Sequence, residues 1–248
     1  MSEREREGRN SERSDLDGAR NSWSRDTEAA DLSTGILASL RTLGYAHVAR
    51  PHTAGDFEMT ACQLGSIVLR TDLAITPERS SIVYKSDEIR LHQDNPEVNT
   101  LGWYCVQQDE IDGSALLLDT GDIVAHFSRG EIVTMTTINV RYPDPDQSRH
   151  NPDRGLTAYL LWPLVNEKST RTEVYYVPWL LADSYDENQR RVLAKFTEYL
   201  RAKEETQLVR IRLKAGESLF IDNNRMLHGR GSISQNSKRF LKRVWIKR

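Results

Sequence analysis

Apolar residues recur along this chain in two rhythms, one helical and one alternating, and their order outlines an architecture. Ile36, Leu37, Leu40 and Leu43 fall at helical spacing from Asp31 onward, with Ser33 or Thr34 placed to cap the start and Gly44 to end it. Ala54 to Leu64 reads as a second, short helix. Glu187 to Lys203 reads as a third, with Val192, Leu193, Phe196 and Leu200 on one stripe and Asp186 at its N-cap. The remaining apolar runs are short and rich in β-branched and aromatic residues, which suit a pleated, half-buried surface. They predict strands at Ser66 to Arg70, Ser81 to Lys85, Leu101 to Gln107, Ala115 to Leu118 and Ile132 to Val140. Further strands are expected at Leu156 to Trp162, Thr172 to Val177, Leu208 to Leu213, Ser218 to Ile221 and Phe240 to Ile246. Gly, Pro, Asp and Asn clusters separate them, and Lys214-Ala-Gly-Glu makes a tight turn.

Many short strands with few helices predict a mainly β fold with flanking helices, a double-stranded β-helix or jelly roll. The 248 residues suit one catalytic domain, placed at 31–248. Residues 1–30 alternate acidic and basic groups with Ser, Gly and Asn and offer only Leu16 and Trp23 as large apolar anchors. Such a segment buries too little to offset its ordering entropy, so a disordered N-terminal tail is expected.

Charge narrows the choice of partner. Lys plus Arg number 34 and Asp plus Glu 36, a net charge of -2, so no field draws the chain to nucleic acid or anionic lipid, and a small-molecule partner is expected. Cys62 and Cys105 lie far apart with no Cys-x-x-Cys pair, which suggests neither a disulfide framework nor a cysteine zinc site. No apolar run approaches the roughly 20 residues of a bilayer-spanning helix. The expectation is a cytoplasmic protein without membrane contact; oligomeric state is left open.

Among six histidines, His92 stands out because Asp94 follows two positions later. Residues two apart on a strand share a face, so this imidazole and carboxylate can offer adjacent ligands to one ion. A second histidine from elsewhere would complete a two-histidine, one-carboxylate face with three positions open, the ligand set of non-haem iron(II) oxygenases. His-x-Asp alone is a weak signal. It gains weight from Gly216-Glu-Ser-Leu-Phe-Ile-Asp-Asn-Asn-Arg-Met-Leu-His228-Gly-Arg-Gly, a strand running into a polar turn and ending on histidine.

This segment resembles the D-N-x-R-x-L-H-G-R run around the distal metal histidine of the taurine dioxygenase and clavaminate synthase-like iron(II)/2-oxoglutarate oxygenases. Leu91-His-Gln-Asp-Asn is similar to the H-x-D-N segment of the same family, and Asp112-Gly-Ser-Ala-Leu-Leu-Leu-Asp to its following G-G-x-S/T strand. The likeness runs from about Leu32 to Arg248. It implies His92, Asp94 and His228 as catalytic metal ligands, iron(II) as cofactor, and 2-oxoglutarate and dioxygen as co-substrates. It further implies an arginine beyond the distal histidine that clamps the far carboxylate of 2-oxoglutarate, a task suited to the planar guanidinium fork.

Arg239 and Arg243 are the candidates, eleven and fifteen residues beyond His228; their even separation lets both face the interior. Arg239 is favoured for 2-oxoglutarate, and the resemblance assigns Arg243 to an acidic group of the substrate. Two residues depart from the family pattern: Asp112 replaces the first glycine, and Ala115 replaces the hydroxyl residue that touches 2-oxoglutarate. Ser114 or Gln107 is expected to substitute. Asp94 argues against halogenation, because iron halogenases of this kind carry a small residue there that leaves room for chloride.

His126, in Asp122-Ile-Val-Ala-His, sits at helical spacing and reads as a packing or surface residue; His47, His52 and His150 have no partner at ligand spacing. Tyr84, Lys85, Glu88 and Arg90 precede the first ligand and are candidate substrate contacts, Glu88 foremost. Residues Tyr142 to Gly155 form a long polar loop, a candidate lid. The reading is a dioxygenase that oxidises, foremost by hydroxylation, an unactivated C–H of an amino acid or amino-acid-derived metabolite of secondary metabolism. Desaturation or cyclisation on the same scaffold, a non-catalytic small-molecule-binding jelly roll, and a zinc hydrolase using the same triad are the alternatives.

Overall fold

The computed structural model describes residues 31–76, 82–143, 159–168 and 171–248. The expected tail at 1–30, His150 and all but the first two residues of the candidate lid lie outside these. The chain is mostly antiparallel β with a few helices. A five-stranded sheet runs in the order β1 (Tyr45–Val48), β11 (Ser218–Asp222), β4 (Thr100–Gln107), β13 (Phe240–Lys247), β2 (Ser66–Ala74). A four-stranded sheet runs β10 (Val209–Ile211), β5 (Ala115–Asp119), β12 (Met226–Arg230), β3 (Ile89–His92). Two ribbons complete the set, β6 (Asn139–Pro143) with β7 (Tyr159–Pro163) and β8 (Val165–Glu167) with β9 (Thr172–Val174).

Alternation along the strands builds the layers. In β4, Leu101, Trp103 and Cys105 point into a core between the two large sheets, where they meet Leu117 of β5, Leu219 and Ile221 of β11 and Leu241 of β13. Tyr104 of β4 and Phe220 of β11 point the other way, onto Ile36 and Leu40 of α1 (residues 31–43) and Phe57 and Ala61 of α2 (Ala54–Leu64). A strand covered on both faces reads as an unbroken apolar run, which is why β4 is so legible in the sequence. On the far side of the four-stranded sheet, Leu116 and Leu118 pack with Val192, Phe196 and Leu200 of the long helix Glu187–Gln207, here α5.

That helix has the expected Asp186 cap and runs beyond its apolar stripe to Gln207, because buried Lys203 continues the stripe and pairs with Asp122. The first helix ends at Gly44 as expected, with the Gly44 N–H donating to the Leu40 carbonyl. It is already helical at residue 31, so Ser33 and Thr34 do not cap it.

Two strand expectations fail. Ile82–Tyr84 form a 3-10 turn, and Ile132 to Val140 divides into helix α4 (Arg129–Met135) and the start of β6. The helix is set by a reciprocal cap, Ser128 with Glu131, which outweighs the β-branched composition of Ile132 to Val140. His126 closes the one-turn helix α3 (Ile123–His126), as its spacing implies, and bonds to Asp122.

Candidate metal and co-substrate site

β12 and β3 are neighbours in the four-stranded sheet and place His228 directly opposite His92, with ring centroids 4.4 Å apart. The Nδ1 of His92 lies 2.8 Å from the Arg90 carbonyl. A carbonyl only accepts, so that nitrogen is the donor and Nε2 is the ring atom left to face a metal. Asp94 lies just beyond the end of β3 rather than on it. Its position is fixed by Asn223, whose Oδ1 accepts from the Asp94 N–H at 3.1 Å while its Nδ2 donates to the carbonyls of Asn95 and Val98.

The Asp94 carboxylate is divided between two tasks. Oδ1 lies 3.7 Å from His92 Nε2 and 3.8 Å from His228 Nε2. Oδ2 accepts from Arg243 Nη1 at 2.9 Å and from the Trp245 indole N–H at 3.0 Å. Burial would raise the Asp94 pKa, but Arg243, followed by the two histidines, holds it well below the usual carboxylate range. Burial pushes His228 down to about 3, with His92 and Arg243 adding to the effect against the opposing pull of Asp94, so its imidazole is neutral. Its Nδ1 is buried with no partner among the described residues. Two imidazole nitrogens and one carboxylate oxygen, with donor atoms within 4.8 Å of one another, fit a divalent transition metal. They form the group of this kind found among the described residues.

His92 and His228 line a pocket between the two large sheets, walled by Leu73, Ile89, Leu117, Ile211, Leu219 and Leu241, with Trp103 against the His228 ring at 5.3 Å. Arg239 and Arg243 both line it, as their even separation requires. Arg239 is buried, and burial lowers it to about 10, so it keeps its charge at neutral pH. Its Nε donates to Gln108 Oε1 at 3.1 Å, and Gln108 Nε2 in turn donates to the Leu213 carbonyl. Gly113, at φ +82, also lines the pocket; a Cβ there would stand 2.8 Å from Gln108 Oε1 and 3.0 Å from Arg239 Nε.

Several expected contacts lie elsewhere. Gln107 is exposed outside the pocket, because the β4–β13 pairing slips by one residue at Phe240/Leu241 and turns Val106 and Gln107 outward together; Gln108 takes the inward place. Ser114 donates its hydroxyl to Asp112 Oδ1 at 2.6 Å and does not line the pocket, since the carboxylate in the first glycine's place captures it. Glu88 is exposed and also outside the pocket. Arg243 already serves Asp94, although its Nε is buried with no partner among the described residues. His47 pairs with Glu217, and His52 stands edge-on to Tyr104, both away from the triad.

Sequence reasoning missed Asn223, Gln108, Trp245 and two further residues. Arg230, two positions past His228 on β12, is buried in the pocket wall and donates to the carbonyls of Lys85 and Asp87. Trp179, nearly half exposed, stands 5.0 Å from the His92 ring. The D-N-x-R run contained the signal for Asn223; the others depend on pairing between distant strands.

No helix among the described residues is long and apolar enough to cross a membrane. No curated protein matches the chain by sequence. Among solved structures, an asparagine oxygenase in complex with Fe(II), 2S,3S-3-hydroxyasparagine and succinate superposes with a TM-score of 0.65 at 17% identity, covering 88% of this chain and 79% of that one. The non-heme iron oxygenase OrfP in complex with Fe and alpha-ketoglutaric acid gives 0.64 at 16% identity, covering 89% and 79%. OrfP with Fe, succinate and (3S)-hydroxy-L-Arg gives 0.65 at 15% identity over the same shares. Residues 47–245 match the family described as taurine catabolism dioxygenase TauD, TfdA family, a span that takes in His92, Asp94, His228 and Arg239. The chain therefore belongs to the TauD/TfdA family, and the family makes it an iron(II)- and 2-oxoglutarate-dependent dioxygenase.

Proposed function

We propose that this dioxygenase hydroxylates an unactivated C–H bond of a free amino acid or an amino-acid-derived metabolite in secondary metabolism. Its two facing sheets are read as a double-stranded β-helix. His92, Asp94 and His228 would hold iron(II), and Arg239 would hold the far carboxylate of 2-oxoglutarate. The observation that carries the reading is the convergence of the two Nε2 atoms and one carboxylate oxygen, with both histidines lining a pocket that also holds a buried arginine. Iron(II), bound with the keto acid and dioxygen, supplies the oxidation: one oxygen atom enters the substrate, the other enters succinate, and carbon dioxide leaves.

The chain's own residues orient and exclude. The Arg90 carbonyl fixes the His92 tautomer, Asn223 holds the Asp94 backbone, and Gln108 occupies Arg239 Nε, leaving its two terminal nitrogens for a carboxylate. The leucine walls keep the pocket dry, which strengthens each of these charged contacts. For the substrate's acidic group, Arg243 lines the pocket, and its Nε has no partner among the described residues. The amino-acid class is supported by relatives of the same fold, whose bound products are hydroxyasparagine and hydroxyarginine.

The test is a succinate-release screen over amino acids and their derivatives, with mass detection of oxygen gain. Succinate release dependent on iron(II) and 2-oxoglutarate and abolished by His228→Ala is expected. Release unaffected by that substitution, or no product 16 Da heavier with any amino acid, would overturn it.

A further inference from the structure

A carboxylate that binds a metal through one oxygen must be kept from rotating its second oxygen into the site or away into solvent. Asp94 carries that problem acutely, because it lies past the end of β3 and has no strand pairing of its own. Its outer oxygen is held from β13, on which residues 241, 243 and 245 alternate onto the inner face. Arg243 Nη1 and Trp245 Nε1 both donate to Oδ2, at 2.9 and 3.0 Å, and the guanidinium carbon of Arg243 stands 5.3 Å from the centroid of the Trp245 ring. The two donors differ in kind. Arg243 lines the pocket and its Nε has no partner among the described residues, which makes it the donor that a substrate anion would draw on. The indole N–H has one hydrogen, no charge and no second partner.

We propose that Trp245 is a positioning residue for the metal: its indole N–H holds Asp94 Oδ2 so that Oδ1 alone is presented to the ion, and it keeps that hold when a substrate anion draws Arg243 away. The inference rests on the proposed ligand set. Removing the N–H while keeping an aromatic ring weakens metal binding, and the loss deepens when Arg243 is engaged elsewhere.

The experiment measures Co(II) and Mn(II) affinity of the full chain by titration, without turnover, for wild type, Trp245→Phe and Trp245→His. Trp245→Phe is expected to lose about tenfold or more in affinity. Trp245→His restores a ring N–H and is expected to recover part of the loss. Both should leave the thermal midpoint of the metal-free protein close to wild type. Wild-type affinity in Trp245→Phe, or a loss shared equally by Trp245→His, would overturn the proposal. Should the variants not fold, the Trp245 indole N–H resonance decides the matter in Zn(II)-loaded wild type: slow hydrogen exchange and a shift on metal addition support the hold, and fast exchange without a shift refutes it. Failure of the ligand set itself looks different, since Asp94→Ala and His228→Ala would then bind metal as wild type does.

Discussion

The Nε of Arg239 donates to Gln108 Oε1 at 3.1 Å, and both residues line the pocket that His92 and His228 also line. Arg239 comes from just before β13 and Gln108 from just past the end of β4, so the contact spans two strands at a slip in their pairing. The side-chain amide is itself fixed, because Gln108 Nε2 donates to the Leu213 carbonyl and Oε1 also accepts from the Asp109 N–H. A guanidinium pinned at Nε presents its two terminal nitrogens in one plane, the geometry that meets a carboxylate with two parallel hydrogen bonds.

Gln108→Leu is therefore expected to raise the half-saturating 2-oxoglutarate concentration by about tenfold, the worth of a hydrogen bond to a charged group. Arg239→Ala should abolish keto-acid binding. Thermal shift of the metal-loaded protein against 2-oxoglutarate concentration measures both. If Gln108→Leu saturates like wild type, Gln108 has no part in orienting the arginine.

The candidate metal group is legible in the sequence because its residue types sit in short local runs: His92-x-Asp94, and the Asp-Asn-x-Arg stretch before His228. Arg239 is legible through parity along β13. Gln108 is not, since placing Gln107 inward assumes an unbroken alternation along β4, and a slip in register cannot be seen from one strand alone. Ser114 misleads for a related reason: its hydroxyl is chemically suited to 2-oxoglutarate, but Asp112 two residues earlier competes for it and wins. Helix α4 is hidden because β-branched composition masks the Ser128–Glu131 cap. The grip on Asp94 from Trp245 joins residues 151 positions apart, a distance at which spacing carries no information.

Asn223 is the hinge between the two local runs. It is almost wholly buried, and its amide bonds the Asp94 N–H and the carbonyls of Asn95 and Val98. Asn223→Ala leaves those groups without partners at a cost of about 3 kcal/mol. It should lower the urea midpoint accordingly and weaken metal binding, because the segment carrying Asp94 is released. Unchanged stability would show that water replaces the amide at no cost.

Asp122 gives a pH-dependent signature away from the pocket. It accepts from Tyr199 Oη at 2.7 Å and from Lys203 Nζ at 2.5 Å, and its second oxygen meets His126 Nε2 at 3.0 Å. Burial opposes ionisation here, but the bonds from Lys203 and Tyr199 prevail and draw the carboxyl down from 3.8 to about 2. A depressed folded-state pKa means stability that is fully present above the unfolded value and disappears as pH falls through the folded one. The stability difference between wild type and Asp122→Asn should thus stay level above about pH 5 and close between about pH 4 and pH 2. Denaturant melts across that range measure it. A difference that persists at pH 2 would mean the carboxylate charge is not what the contact supplies.

Gly229 lies between His228, a proposed metal ligand, and the buried Arg230, and the close approach of β3 accounts for it. A Cβ at this position would stand 2.5 Å from the Ile89 carbonyl oxygen and 3.3 Å from the Arg90 carbonyl carbon, both backbone atoms that cannot swing aside as a side chain would. Gly229→Ala must push β3 away from β12, and His92 rides on β3 opposite His228. The expected outcome is a loss of about 1–3 kcal/mol in stability, the usual cost of overpacking, together with weaker metal binding as the two imidazoles separate. Gly130→Ala is the matched control: it lies in α4 with nothing within 4 Å of the added methyl, and should stabilise by about 0.5–1 kcal/mol with metal affinity untouched. If Gly229→Ala binds Co(II) as tightly as Gly130→Ala does, the spacing of β3 and β12 does not set the metal site.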